Sequence, residues 1–351
     1  MASDYSTGNI VVIEGLESVR RRPGMYIGGT DARGLQHMAM ESIGNSLDQV
    51  LAGHARSLRV DLDSHGWLTV EDDGRGISVE PMNELPFMEL IFTHLSMLPT
   101  VDGHHPHVHV TPRLHGVGVG VVSALSARLE VDSHTNGQHW RAAFERGVCV
   151  QHAALVGPTP HHGTRVRMLP DKQIFEGRKI DAETLRTRMG ELAYLLPALR
   201  IRFQGAELTK PSGLRSWLLE HAPDTAPETL RTYDGMVGDV HVEVALGWSP
   251  TRTTALHDSF VNLSRTELGG THVAALLAAL EQSAPSPDLW NATKNGFASL
   301  LHVGLLHPRF GGPTKAMLAS DEATPAVKRA VSEVLASSFW DAVRTARASR
   351  A

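Results

Sequence analysis

Glu41, Asn45 and Asp48 recur at i, i+4 and i+7 in a segment whose apolar residues, Ile43, Leu47 and Val50, keep helical spacing. At 100° per residue the three polar side chains fall within about 60° of arc, roughly opposite the apolar three. One reading of that arc is a solvated face, which amphipathic helices usually carry. The other sets a carboxylate and an amide side by side over a cavity, the Asn45 oxygen offered to a magnesium ion and the Glu41 carboxylate to a proton of water. Further along, Asp72-Asp73-Gly74-Arg75-Gly76 sits where a strand runs into a turn. Asp-Gly alone signals a hairpin. An aspartate at a strand end can also accept from an exocyclic amine, with the glycines letting a flat ring approach the backbone.

Leu114-His115-Gly116-Val117-Gly118-Val119-Gly120 places alternate glycines at the start of a helix. Such a start exposes N–H groups at the positive end of the helix dipole, which suits a phosphate chain. Within a helix each glycine costs about 1 kcal/mol relative to alanine, so the alternative role for these glycines is close packing on neighbours. His104, His105, His107 and His109 could line several imidazoles along one side of an extended chain, where zinc would accept them. With no thiolate nearby, a polar and pH-responsive segment is the favoured reading.

These groups need elements to position them. Periodicity predicts a helix over Gly34–His54, strands over Leu58–Leu62 and Leu68–Val70, and a second helix over Pro86–Leu98 with proline at its start. Pro99–Arg113 has no period and reads as a mobile loop. A third helix is expected over Gly116–Ala127, then strands near 128–131, 139–144, 148–155 and 164–169. A helix capped by Asp181 and running to Leu196 follows, then a strand over Arg200–Phe203. The polar stretch Gln204–Gly213 marks a boundary, giving domains 1–207 and 208–351. Beyond it come strands over 240–246 and 259–263, a helix after Thr271, a strand over 301–306 and one long helix from Thr324. Helices and strands that are each apolar on one side predict α+β layering in both halves. The first fifteen residues, with Tyr5 and Ile10 to Ile13, are too sparse in apolar side chains for a core and read as an arm that packs on something else.

The 351 residues suffice for two domains, and 42% hydrophobic with 20% charged residues excludes a mainly disordered chain. A net charge of −5 excludes a general polycation for holding nucleic acid. Cys149 is the single cysteine, which excludes a disulfide framework and a multi-thiolate zinc site and fits a reducing cytoplasm. No apolar run approaches the roughly 20 residues of a membrane span, and the N-terminus lacks the basic-then-apolar order of a signal peptide. A cytoplasmic protein with no membrane partner is expected.

Taken in order, the motifs resemble those of the DNA gyrase and topoisomerase IV B subunits, ATPases of the GHKL superfamily. The likeness opens with Arg22-Pro23-Gly24-Met25-Tyr26-Ile27-Gly28. It continues through the helix carrying Glu41, Asn45 and Asp48, then Asp72 to Ile77, Leu114 to Gly118 and Gly163-Thr164, and on to Gly269-Gly270-Thr271-His272 and Thr314-Lys315. It covers about Tyr5 to Leu335. The resemblance implies a GHKL (Bergerat) ATPase α/β sandwich followed by a ribosomal-protein-S5-like transducer domain, with ATP and Mg2+ as ligands. It makes Glu41 the general base and Asn45 the magnesium ligand. It makes Asp72 the acceptor for the adenine amine, with Thr164 nearby and Gly76 and Ile77 beside the ring. Leu114, His115, Gly116, Val117, Gly118, Val119 and Gly120 would wrap the phosphates within a lid, and Lys315 would reach the γ-phosphate. Tyr5 and Ile10 match the arm that such proteins exchange across an ATP-closed homodimer. An A-type topoisomerase subunit or DNA would be the further partner.

The chain also departs from the family. Pro112-Arg113 replaces a glycine pair before the lid motif, and Val101-Asp102-Gly103-His104-His105 replaces a lysine-containing loop. Pro313 replaces a glutamine two residues before Lys315. Gly44 replaces an aspartate, and Gln49 replaces an acidic partner for Arg75. The chain stops at Ala351, before the TOPRIM module with which relatives take part in DNA cleavage, so no cleavage is expected of it alone. Three readings follow: an ATP-hydrolysing dimeric clamp, an ATP-dependent enzyme of a small-molecule pathway, or a non-hydrolysing regulatory or inhibitor-binding protein. Hydrolysis that falls in Glu41→Ala supports the first. Phosphate release only with a metabolite supports the second, and tight binding without turnover supports the third.

Overall fold

The computed structural model describes residues 15–82, 84–95, 118–311, 315–335 and 337–348. Tyr5 and Ile10 of the arm, the histidine run, Pro112 to Val117 with Leu114, His115 and Gly116, and Pro313 with Thr314 lie outside the described residues. The described chain divides into two compact units, residues 15–95 with 118–182, and residues 183–348.

In the first unit the helices are α1 (Glu17–Arg21), α2 (Gly24–Ile27), α3 (Ala32–Leu51), α4 (Phe87–Thr93), α5 (Gly118–Ala124) and α6 (Lys172–Phe175). The strands are β1 (Ser57–Leu62), β2 (Leu68–Asp72), β3 (Pro81–Met82), β4 (Leu85–Pro86), β5 (Ser126–Thr135), β6 (Gln138–Glu145), β7 (Val148–Pro158) and β8 (Gly163–Pro170). The main sheet runs β1-β2-β8-β5-β6-β7, each neighbouring pair antiparallel, with α3, α4 and α5 lying against it. Alternation sets which side chains enter the core. Leu68 and Val70 point inward on β2, Leu129 and Val131 on β5, Val166 and Met168 on β8. Asp72, Ser133 and Thr164 continue these three rows by two-residue steps and are buried with them. The register places Asp72 opposite Thr164, and Thr164 opposite Ser133. Three polar side chains thereby end up adjacent at one end of an apolar sheet face.

Helix α3 begins where Asp31 accepts the N–H groups of Arg33 and Gly34 at 3.1 and 3.0 Å. It stops before Gly53, whose φ of +75° terminates a helix at little cost. It is buried round most of its girth, Glu41 included, so the solvated-face reading of its polar arc fails at Glu41. Helix α5 ends at Ala124, short of the expected Ala127, because Ser126 already pairs with Pro170 in the sheet.

The second unit holds α7 (Ala182–Leu195), α8 (Gly213–His221), α9 (Thr271–Ser283), α10 (Pro287–Thr293), α11 (Ala323–Val334) and α12 (Ser337–Ala348). Its strands are β9 (Arg200–Phe203), β10 (Ala206–Glu207), β11 (Arg231–Val237), β12 (Val240–Trp248), β13 (Leu256–Val261), β14 (Ser264–Arg265) and β15 (Phe297–Gly304). A five-stranded sheet runs β11-β12-β15-β13-β14, in which only β13 and β15 are parallel. A parallel pair needs a crossover, and α9 with α10 supplies it. The core joins Val242, Val244, Leu301 and Val303 to Leu276, Leu280, Val327, Val331 and Phe339. Helix α7 clusters with this unit: Arg188 donates to the Leu263 carbonyl, and Glu191 takes Arg265 at 2.8 Å. The expected single C-terminal helix is two, α11 and α12. Helices α8 and α10 and strand β11 were not foreseen. No residue of β11 is fully buried, so it carries little apolar signal. Among the described residues no helix is long and apolar enough to cross a membrane.

Candidate functional site

The polar end of the first unit's sheet is built around Asp72. The residue is 5% exposed; Oδ2 accepts the Ser46 hydroxyl at 2.7 Å and Oδ1 accepts the Gly74 N–H at 2.9 Å. Burial pushes the Asp72 carboxyl above its ordinary value, against the lowering effect of the Ser46, Gly74 and Thr164 hydrogen bonds. Ile77 is held from the other side: the Ser133 hydroxyl accepts its N–H and donates to its carbonyl, both at 2.8 Å. Two glycines are dictated by the space. Gly76 has φ +76°, and a Cβ there would lie 2.6 Å from the His134 carbonyl oxygen; at Gly163, φ +119°, it would lie 2.0 Å from the Asp72 carbonyl oxygen. The second aspartate of the motif has a different task. Asp73 Oδ1 accepts the N–H groups of Arg56 and Ser57 at 2.6 and 2.8 Å and so pins the entry to β1. Gln49, in the place of an acidic partner for Arg75, accepts the Arg75 backbone N–H at 3.4 Å.

Ser46 joins this end of the sheet to α3, where Asn45 precedes it by one residue and Glu41 by five. Glu41 is wholly buried, and neither carboxylate oxygen has a hydrogen-bond partner. His37 Nε2, one turn earlier, lies 3.3 Å from Oε1, an ion-pair separation without the alignment of a hydrogen bond. Unpartnered buried carboxylates are costly, so this one is a group whose hydrogen-bonding capacity the fold leaves unused. Asn45 and Asp48 are half-buried on the same side of the helix.

Only Gly118, Val119 and Gly120 of the glycine-rich motif are described. Gly118 opens α5 with φ +72°, a conformation that favours glycine. Gly120 is accounted for by packing, since a Cβ there would lie 2.4 Å from the His94 carbonyl oxygen at the end of α4. In the second unit Lys315 is half-buried with φ +52°, its Nζ 5.8 Å from the Phe310 ring centroid. Around it, Gly311 N–H donates to the Met317 carbonyl at 3.0 Å and Ala319 N–H to the Arg309 carbonyl at 2.7 Å.

Asp72, Gly76, Ile77 and Thr164 are therefore brought together, with Glu41 and Asn45 on the helix that bonds Asp72. Sequence reasoning missed Ser46, Ser133 and His37. For Ser133 a signal existed, its two-residue step from Leu129 and Val131; Ser46 and His37 had none beyond their place on α3.

Residues 30–174 match the family described as histidine kinase-, DNA gyrase B-, and HSP90-like ATPase, and residues 213–348 match DNA gyrase B. The DNA gyrase B protein of Campylobacter jejuni is 34% identical over 360 residues, covering 97% of this chain and 46% of that protein. The crystal structure of the 43K ATPase domain of Thermus thermophilus gyrase B, in complex with an aminocoumarin, superposes with a TM-score of 0.79 at 32% identity, covering 95% of each chain. The topoisomerase IV ATP-binding domain of Francisella tularensis, in complex with a small-molecule inhibitor, superposes with a TM-score of 0.74 at 26% identity, covering 96% of this chain and 97% of that one. The chain spans about half the length of the curated relatives it matches.

Proposed function

The chain belongs to the DNA gyrase B family, as an α+β GHKL ATPase domain followed by a gyrase B transducer domain, and on that premise we propose that it binds and hydrolyses ATP as a dimeric, nucleotide-operated clamp. The observation that carries this reading is the Glu41 carboxylate, fully enclosed with two unpartnered oxygens. A structural carboxylate at that depth would be hydrogen-bonded. One reserved for a water molecule that arrives with substrate need not be.

The residues present fit the nucleotide and its metal. Asp72 accepts the adenine amine, with Thr164 beside it, and Gly76 and Ile77 form the wall that the ring lies against. Glu41 orients the attacking water and takes its proton. Asn45 offers an uncharged oxygen of the kind magnesium accepts. That ion, when bound, neutralises charge on the phosphate oxygens. Leu114 to Gly120 supply backbone N–H groups to the phosphates, and Lys315 the cation for the γ-phosphate, where electrostatics and positioning do most of the catalysis. Tyr5 belongs to an arm exchanged between protomers. An A-type topoisomerase subunit, and DNA through it, are the proposed partners.

The test uses the full chain. Calorimetry with a non-hydrolysable ATP analogue should show uptake by both wild type and Glu41→Ala, while phosphate release falls at least about 100-fold in the variant. Uptake without turnover in the wild type would make this a binding protein. Absence of uptake would overturn the assignment.

A further inference from the structure

Helix α4 and the outermost strand of the first unit's sheet, β7, meet over three side chains that ligate metals: Glu89 on α4, and Cys149 and His152 on β7. Glu89 Oε2 lies 2.9 Å from His152 Nδ1 and 3.8 Å from Cys149 Sγ, and Sγ lies 3.8 Å from the same ring nitrogen. The other Glu89 oxygen accepts the Ala153 N–H at 2.8 Å, which fixes the carboxylate's aim. The Glu89 side chain is 4% exposed and that of His152 82%, so the triangle is closed on the protein side and open to solvent on the other. A tetrahedral zinc ion, with sulfur at about 2.3 Å and nitrogen and oxygen at about 2.0 Å, spaces its ligand atoms about 3.3–3.5 Å apart. The three separations bracket that range, and side-chain shifts of roughly half an ångström would bring them into it.

Charge argues the same way. Among the described residues no lysine or arginine pairs with Glu89; its contacts are the thiol, the imidazole and one amide. A buried carboxylate ordinarily has a cation or a full set of donors.

We propose that Glu89, Cys149 and His152 form a binding site for one divalent transition cation of the zinc class, with solvent in the fourth position. A mixed sulfur, nitrogen and oxygen donor set favours such a cation over magnesium or calcium. On binding, the Cys149 S–H bond breaks, its proton passes to solvent and an Sγ–metal bond forms, with no change of oxidation state. The cation clips β7, which among the described residues has β6 as its one strand neighbour, to α4. Among the described residues, Asp234, His241 and Glu243 in the second unit form the other group of candidate ligands, but it lacks sulfur and its Asp234 side chain is 71% exposed.

The site shares no residue with the proposed nucleotide site, and its test needs no nucleotide. Full-length protein freed of metal with a chelator is titrated with Co2+, followed by Zn2+ competition. One equivalent of Co2+ should bind with a thiolate-to-metal charge-transfer band that Cys149→Ser abolishes. His152→Ala, on an exposed side chain, should weaken Zn2+ at least about tenfold, with its fold checked by circular dichroism, and His241→Ala should change nothing. Release of one proton makes affinity rise about tenfold per pH unit near neutrality. Co2+ binding without the band, or Zn2+ binding unchanged in both Cys149→Ser and His152→Ala, would overturn the proposal and place the cation on other histidines.

Discussion

Replacing Glu41 by glutamine should stabilise the protein and abolish its turnover together. The side chain is wholly buried and neither oxygen is hydrogen-bonded, so the native fold bears the desolvation of a carboxylate without compensation. Glutamine keeps the shape, removes the charge, and leaves a neutral amide whose desolvation is cheaper. A buried unsatisfied polar group costs about 1–3 kcal/mol, more when charged, so a gain of about 2 kcal/mol is expected. In a unit of this size each kcal/mol moves the melting midpoint by about 2–4 °C, which gives a rise of roughly 4–8 °C. Scanning calorimetry beside a phosphate-release assay reads both effects on one preparation. A midpoint lower than wild type for Glu41→Gln would refute this account: the 3.3 Å contact between Glu41 and His37 would then be structural. A higher midpoint with unchanged turnover would retain the energetic account and remove Glu41 from the chemistry.

Two pH dependences of opposite sign follow. Burial raises the Asp72 carboxyl, so the folded state takes up this proton more readily than the unfolded chain, and Asp72 detracts from stability as pH rises through its folded value. Nucleotide uptake, which needs the ionised acceptor, should be lost on acidification at a pH above the usual 3.8, and Asp72→Asn should bind weakly with that step absent; calorimetry of the analogue at a series of pH values falling from neutrality checks both. Asp171 behaves in reverse. Burial alone would raise it, but the Gln173 N–H and the Arg20 and Arg146 guanidiniums, at 2.8 and 2.9 Å, hold it below the ordinary value. Its contribution is present above the unfolded carboxyl's pKa and is lost as pH falls through the lower folded value. Asp171→Asn should cost about 2–3 kcal/mol at pH 7, reduced from a fully buried pair because Arg146 is half exposed, with the difference in urea midpoint vanishing in acid.

Much of the site was legible because sheet alternation is a local property. Leu68, Val70 and Asp72 share a parity, so the aspartate had to enter the core if the two apolar residues did. The helical arc of Glu41, Asn45 and Asp48 was equally visible, but its environment was not. A 3.6-residue period says which residues share a side, and says nothing about whether β2, α2 and α5 cover the other sides as well. Ser46 and Ser133 escaped notice because a small hydroxyl residue looks the same when it is solvated as when it clamps a carboxylate. Helix α8 and strand β11 were missed for a related reason. Strand β11 is an edge strand with no fully buried side chain, and its pairing to β12 is carried by backbone groups that sequence does not distinguish.

The structure separates architecture from chemistry within motifs that sequence presents as units. In Asp72-Asp73-Gly74-Arg75-Gly76 the two aspartates are equivalent by type, yet Asp73 is satisfied by two backbone N–H groups at the start of β1, while Asp72 is buried at a cost that Ser46 and Gly74 only partly offset. In the glycine-rich run, Gly120 is required by the His94 carbonyl irrespective of any ligand. On α3 the carboxylate of Glu41 is enclosed without a partner, whereas Asp48 is half-buried and engaged. A residue serving the fold has its polar atoms satisfied by the fold. Among the buried carboxylates of the described residues, Glu41 is the one whose two oxygens both lack a hydrogen bond, so it is the one for which a ligand has most to supply. That criterion points to the carboxylate on which the proposed hydrolysis depends, Glu41, and it does so without reference to any relative.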